Sequence, residues 1–208
     1  MLKRTSILRP ASEDRLESLI AARLEPGANK KHLDQRIWDL FGEDWCIMFT
    51  DLAGFSRNVA RFGIIHFLQT IYEAERVCVP IIEEHDGILL KADGDSLLVI
   101  FRNAQKAILS AIEMQRRLAA HNEGKEDEEK VLLCVGLGFG RVLRIGDSDV
   151  FGAEVNAASK LGEDTAKAGE ILVTEAVKDA ASEIANISFE PIAETPPGAG
   201  AAFRLIYG

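Results

Sequence analysis

Residues 44–56 read Asp44-Trp45-Cys46-Ile47-Met48-Phe49-Thr50-Asp51-Leu52-Ala53-Gly54-Phe55-Ser56. Asp44–Thr50 is a short apolar run bounded by turn residues, the pattern of a buried strand. Such a strand delivers Asp51 to its C-terminal end. Leu52, Ala53 and Gly54 then turn the chain into a helical pattern that begins near Asn58. A strand-end carboxylate suits a metal ion, and a small turn before a helix exposes backbone N–H groups to a phosphate. An aspartate that merely caps the next helix fits the same residues.

Downstream, the helical pattern runs to about Glu84 through Ile64, Phe67, Leu68, Ile71, Cys78 and Ile82, and Pro80 is predicted to kink or divide it. Ile88–Ala92 and Ser96–Phe101 form a hairpin around Asp93-Gly94-Asp95. A helix follows through Ala104, Ile108, Ala111, Ile112 and Leu118, then a charged surface loop at 121–130. Val131–Leu137 and Arg141–Ile145 read as two strands around Gly138 and Gly140. Beyond them come a helix over 152–167, a strand at Ile171–Val173 and a helix capped by Thr174. Ile187–Ile192 and Phe203–Tyr207 are the last strands, separated by the 196–200 Pro-Pro-Gly-Ala-Gly stretch. Upstream, residues 11–25 place Leu16, Leu19, Ile20 and Leu24 on one helical face, with Ser12 as N-cap. Asn29 opens a second helix carrying Leu33, Ile37, Leu40 and Phe41, ended by Gly42. The chain therefore divides into an N-terminal helical extension, 1–42, and a body, 43–208. The helices serve as packing for their own body or as a contact to a second chain. The body reads as α+β, an antiparallel sheet with helices on one face.

The chain has 208 residues and a net charge of −9. The first 40 residues carry eight basic and six acidic groups, so the remainder holds the acidic excess. That sign argues against a nucleic-acid binder. A nucleotide triphosphate remains compatible when divalent metals lie between it and the carboxylates. Cys46, Cys78 and Cys134 form no CxxC pair, which points to buried thiols in a cytoplasmic setting. No apolar run approaches the roughly 18 residues of a membrane span.

Two further segments carry polar groups at informative places. Lys91-Ala92-Asp93-Gly94-Asp95 puts acids at a hairpin tip, an ordinary turn by itself. Paired with Asp51, Asp95 meets what a two-metal phosphoryl-transfer site requires. Asp149-Val150-Phe151-Gly152-Ala153-Glu154-Val155-Asn156-Ala157-Ala158-Ser159-Lys160 sets Asn156 and Lys160 four apart on a helix, a spacing that solvated surface also shows.

In this order and at these separations the three segments resemble the class III nucleotide cyclase catalytic domain, over roughly residues 43–207. The resemblance implies that Asp51, the Leu52 backbone and Asp95 bind two metal ions, Mg²⁺ or Mn²⁺. It implies that Gly54 and Phe55 contact substrate phosphate, that Lys91 and Asp149 read the purine, and that Asn156 positions the ribose. It also implies a homodimer, with active sites between two chains. Lysine and aspartate match adenine, whose ring N1 accepts and whose exocyclic amine donates; guanine reverses both groups. The chain is therefore expected to be an adenylate cyclase that converts ATP to cyclic AMP and pyrophosphate.

Two positions depart from the family pattern. Lys160 stands where the family has a transition-state arginine, keeping the charge and losing the planar fork. Pro197-Gly198-Ala199-Gly200 stands where the family has a phosphate-binding lysine. Arg141 and Arg144 are candidates to compensate, or are ordinary surface charges. These departures motivate the alternative, a catalytically silent or weak cyclase-like module that acts as a nucleotide-binding or regulatory partner; control of the chain is expected through its N-terminal helices or a separate regulatory partner. A diguanylate cyclase is the third reading, weakened because no GGDEF-like hairpin is present.

Overall fold

The computed structural model describes residues 11–54, 63–147, 149–181, 183–198 and 200–208. Two helices, α1 (Ala11–Leu24) and α2 (Lys30–Phe41), lead without a linker into β1 (Gly42–Leu52). There follow α3 (Ile64–Glu84), β2 (Ile88–Asp93), β3 (Ser96–Phe101), α4 (Ala104–His121) and β4 (Leu133–Ile145). Then come β5 (Asp149–Phe151), α5 (Ala153–Ser159), a wide π-type turn (Lys160–Thr165), β6 (Ile171–Thr174), α6 (Glu175–Ala180), β7 (Ile187–Pro191) and β8 (Ala202–Tyr207). The strands form one eight-stranded sheet in the order β2-β3-β1-β4-β6-β8-β7, with β5 paired to β4. Among the described residues every pairing is antiparallel except β4 with β6, so the sheet is mixed and the α+β reading stands.

Helices cover both faces of the sheet rather than one. The reason lies in β1 and β3, which are apolar at successive positions and so need cover on each side. Cys46, Met48, Val99 and Phe101 meet Phe67, Cys78, Ile82, Ile108 and Met114 of α3 and α4. Trp45, Ile47, Leu98 and Ile100 point the other way, onto Val142, Val150, Val155 and Ala158. All three cysteines are buried, and burial pushes Cys78 up to about 12 and Cys134 up to about 11, so their thiols stay protonated.

Three local expectations are corrected. Residues 133–145 form one strand, not two around a glycine turn. The glycines of β4 make room for a helix: a Cβ on Gly136 would lie 2.2 Å from the Ala158 carbonyl oxygen, and one on Gly138 would lie 2.3 Å from that of Glu154. Pro80 does not divide α3, which runs unbroken to Glu84; the missing Pro80 amide removes one helical hydrogen bond, that to the Arg76 carbonyl, and the neighbouring turns hold. Thr174 precedes α6 without a side-chain capping bond, because its hydroxyl donates to Glu154 Oε2 at 2.7 Å.

The N-terminal helices pack on their own body. Leu19, Leu33, Ile37 and Phe41 form a small core with Ile145, flanked by Leu16 and Leu143. Ile20, Leu24 and Leu40, expected on the buried faces, are exposed. Asn29 caps α2, its side chain accepting from the His32 amide at 3.1 Å, whereas Ser12 lies inside α1 instead of capping it.

Candidate active site

β1 places Asp51 one residue before its end, and the β2–β3 hairpin brings Asp95 to it. The register of β1 on β3 pairs Thr50 with Leu97, which sets the hairpin tip beside Asp51. Gly94, at φ +60, makes the tight reversal. Burial, then the like charge and the carboxyl of neighbouring Asp95, push Asp51 up to about 7, against the Leu52 amide and the Ser96 hydroxyl, which favour the ionised form. Among the described residues no lysine, arginine or histidine pairs with either carboxylate. No third His, Cys, Asp or Glu among the described residues joins them in a cluster. Two half-buried carboxylates facing each other without a countercharge fit a divalent cation, which takes one or two protein carboxylates and fills its remaining positions with phosphate and water.

Beside this pair the chain turns at Ala53 and Gly54. The Ala53 amide donates to the Leu132 carbonyl at 2.9 Å, and Gly54 has φ +88, in the left-handed region that favours glycine. Phe55, the expected phosphate-contact residue, lies outside the described residues. The sequence reading missed Glu163. Its Oε1 is 3.2 Å from Ser96 Oγ, which also lies 3.4 Å from Asp51 Oδ1, and its Oε2 accepts from Ser159. Ser96 has one hydroxyl hydrogen, so it donates to one of the two acids at a time. The Ser159–Glu163 spacing of four was the available signal, but the π-type turn that aims Glu163 has no sequence signature of its own.

Lys91 and Asp149 come together as the second pair, with Nζ 2.9 Å from Oδ2. They stand on β2 and β5, which do not neighbour each other in the sheet. The contact requires the end of β4, with β5, to fold across the face that carries Ile47, Leu98 and Ile100. Val150 buries there, with Leu90 of β2 beside it. A register shift between Leu89 and Lys91 re-aims β2 at this point.

Asn156 and Lys160 are exposed on α5 and its C-terminal cap. Within the chain neither bonds to Asp51, Asp95, Lys91 or Asp149; Lys160 pairs instead with Asp164 at 2.7 Å, an interaction that raises its pKa and keeps it charged. Gly198 lies against the start of α5, a Cβ there being 3.0 Å from the Ala153 carbonyl oxygen. Ala199 lies outside the described residues. Arg141 donates to the Trp38 carbonyl at 3.4 Å and lies over the Trp38 ring, while Arg144 engages Trp45, Gly146 and Asp147.

The profile of the adenylate and guanylate cyclase catalytic domain matches residues 42–195, which hold both pairs and α5. The chain belongs to the adenylate and guanylate cyclase catalytic domain family. The cyclase domain is 33% identical over 160 residues, 76% of the chain, to the serine/threonine-protein kinase pkn2 of Myxococcus xanthus. It is 29% identical over 133 residues, 64% of the chain, to the putative adenylate cyclase 3 of Rhizobium meliloti. The chain spans about a fifth of the length of these curated relatives, 19% and 22%. Its fold matches the adenylate/guanylate cyclase/hydrolase of Silicibacter pomeroyi, with a TM-score of 0.67 and 23% identity over 79% of this chain and 97% of that one. It matches the adenylyl cyclase CyaB of P. aeruginosa with a TM-score of 0.66 and 20% identity over 80% and 95%. No helix of the described residues is long and apolar enough to cross a membrane.

Proposed function

We propose that this cyclase domain is an adenylate cyclase, forming cyclic AMP and pyrophosphate from ATP at a site shared by two copies of the chain. The observation that carries the base assignment is the Lys91–Asp149 pair, with a cationic donor and an anionic acceptor 2.9 Å apart. Adenine engages both at once: Lys91 Nζ donates to N1, and Asp149 accepts from the exocyclic amine. Guanine presents a donor to the lysine and an acceptor to the aspartate, so neither group bonds to the base and the base's own polar edge goes unpaired. Asn156 orients the ribose, and Lys160 faces the charge that grows on the phosphates. Asp51, the Leu52 carbonyl and Asp95 would hold Mg²⁺ or Mn²⁺, which supplies charge neutralisation and a lower pKa for the ribose 3′-hydroxyl. The 3′-oxygen attacks the α-phosphorus in line, the bond to the β-phosphate oxygen breaks, and the hydroxyl proton leaves to solvent. Changing Lys91→Glu together with Asp149→Cys inverts the donor pattern. The expected result is a shift of kcat/KM toward GTP by about 10²-fold or more relative to ATP. An unchanged preference contradicts the base assignment.

The two-chain site is supported by the separation of roles within one chain, where Asn156 and Lys160 touch neither pair. A symmetric dimer presents each half to its complement twice. Mixing inactive Asp51→Ala with inactive Asn156→Ala then yields one site with both lesions and one with none. Activity recovering toward half of native, and rising with protein concentration, is the expected outcome. Exchange of subunits without recovery contradicts it.

A specific observation favours a second reading. Lys160 is held by Asp164, and the 197–200 stretch contributes no lysine. Both reduce the positive charge offered to a triphosphate, as in a silent or weak cyclase-like module that acts as a nucleotide-binding or regulatory partner. Turnover of ATP by the native protein discards this reading.

A further inference from the structure

We infer that Arg144 is a positioning residue for Asp149, and thereby a determinant of base selectivity. The inference rests on the assignment of Lys91 and Asp149 as the base-reading pair.

β5 is three residues long and hangs on the end of β4 by the pairs Leu143 with Phe151, Arg144 with Val150 and Ile145 with Asp149. So short a strand does not define its own placement. The turn before it must do so, and Arg144 is bonded into that turn. Its Nε donates to the Gly146 carbonyl at 3.2 Å and its Nη2 to Asp147 Oδ1 at 3.0 Å. The guanidinium carbon lies 4.9 Å from the centre of the Trp45 ring, and the side chain is only 17% exposed. The ring is itself fixed: Trp45 is 2% exposed, its Nε1–H donates to Glu43 Oε2 at 2.9 Å, and Arg102 lies over it at 3.8 Å. Asp147 is almost fully exposed, so its ion pair contributes little, and the bond to the Gly146 carbonyl is the anchor.

A planar fork is needed here. It rests 4.9 Å from the centre of the indole while sending N–H groups to a carbonyl and a carboxylate from one rigid plane. Lysine supplies the charge without that geometry. Gly146, at φ +59, gives the turn its left-handed step, and Asp149 follows three residues later. Arg144 thus connects a buried ring at the start of β1 to the backbone that carries Asp149 to Lys91. It holds the acceptor in place and does not neutralise phosphate.

The test measures displacement of the fluorescent nucleotide MANT-ATP by ATP and by GTP, in Mn²⁺, for the whole chain. Arg144→Met and Arg144→Lys are both expected to lower the ATP-over-GTP affinity ratio about tenfold, mostly through weaker ATP binding. Arg102→Met, which disturbs the same ring without touching the turn, is expected to leave the ratio within about twofold of native. The inference is overturned by a native ratio in Arg144→Met. A native ratio in Arg144→Lys overturns it too, since charge alone then suffices, and that variant keeps the side-chain stem should the methionine variant not fold. An equal shift in Arg102→Met also overturns it. Failure of the underlying base assignment has a separate signature, a Lys91→Glu with Asp149→Cys double variant that binds ATP and GTP as the native chain does.

Discussion

Asp51→Asn is expected to lower nucleotide cyclisation by about 10³-fold or more, since a metal site supplies several kcal/mol and each factor of ten is worth about 1.4 kcal/mol. The same substitution is expected to stabilise the metal-free protein at pH 8. Burial and Asp95 raise the Asp51 carboxyl from 3.8 to about 7 in the folded state. A raised carboxyl binds its proton more tightly when folded, so its favourable contribution is complete below the unfolded value of 3.8 and is lost as pH rises through about 7. Above that, two like charges face each other. Asparagine removes one of them, which at a half-exposed site is worth about 1 kcal/mol, or about 2–4 °C in Tm. Divalent cation reverses the order, raising the Tm of the native chain and leaving that of the variant unchanged. Thermal melts at pH 5 and pH 8, with and without Mn²⁺, check all three signs. A variant that melts below the native chain at pH 8 without metal contradicts the account of the carboxylate pair.

Gly136→Ala is expected to destabilise the fold by about 3 kcal/mol or more, seen as a fall of roughly 1–2 M in the urea midpoint. The new Cβ would sit 2.2 Å from the Ala158 carbonyl oxygen and 2.3 Å from the Gly162 amide nitrogen. Both are backbone atoms, so relief requires α5 to lift from β4, carrying Asn156 with it. Gly140→Ala is the matched control. Its Cβ would meet only the Glu154 side chain, with Cγ nearest at 3.1 Å, and a side chain can yield. Equal stability of the two variants contradicts the close approach of α5 to the sheet.

The same glycines explain where sequence reading stopped. Gly138 and Gly140 are turn punctuation when only neighbours along the chain are considered, which splits β4 into a false hairpin. Their role depends on a helix that passes over them from 15 residues further on. β5 was missed because three residues hold no periodicity to detect. The apolar run of β1 is legible as a strand, but the strand alone does not say which elements cover its two apolar faces. In the candidate site, the placement of Asp51 and Asp95 was legible from residues alone, as acids at a strand end and a hairpin tip. Lys91 and Asp149 were not, because they are 58 positions apart and meet only once β5 folds across the sheet. Their pairing came from the likeness to a family. Glu163 and the turn-holding role of Arg144 depend on local backbone paths that no residue pattern announces.

Incubating the purified chain with equal ATP and GTP, in Mg²⁺ and in Mn²⁺, and identifying the products by mass separates adenylate cyclisation from its alternatives. Cyclic AMP with pyrophosphate is expected in excess over cyclic GMP, formed by the native chain and absent with Asp95→Ala. Excess cyclic GMP, or no cyclic nucleotide from a folded protein that binds the metal, would contradict adenylate cyclisation by this chain.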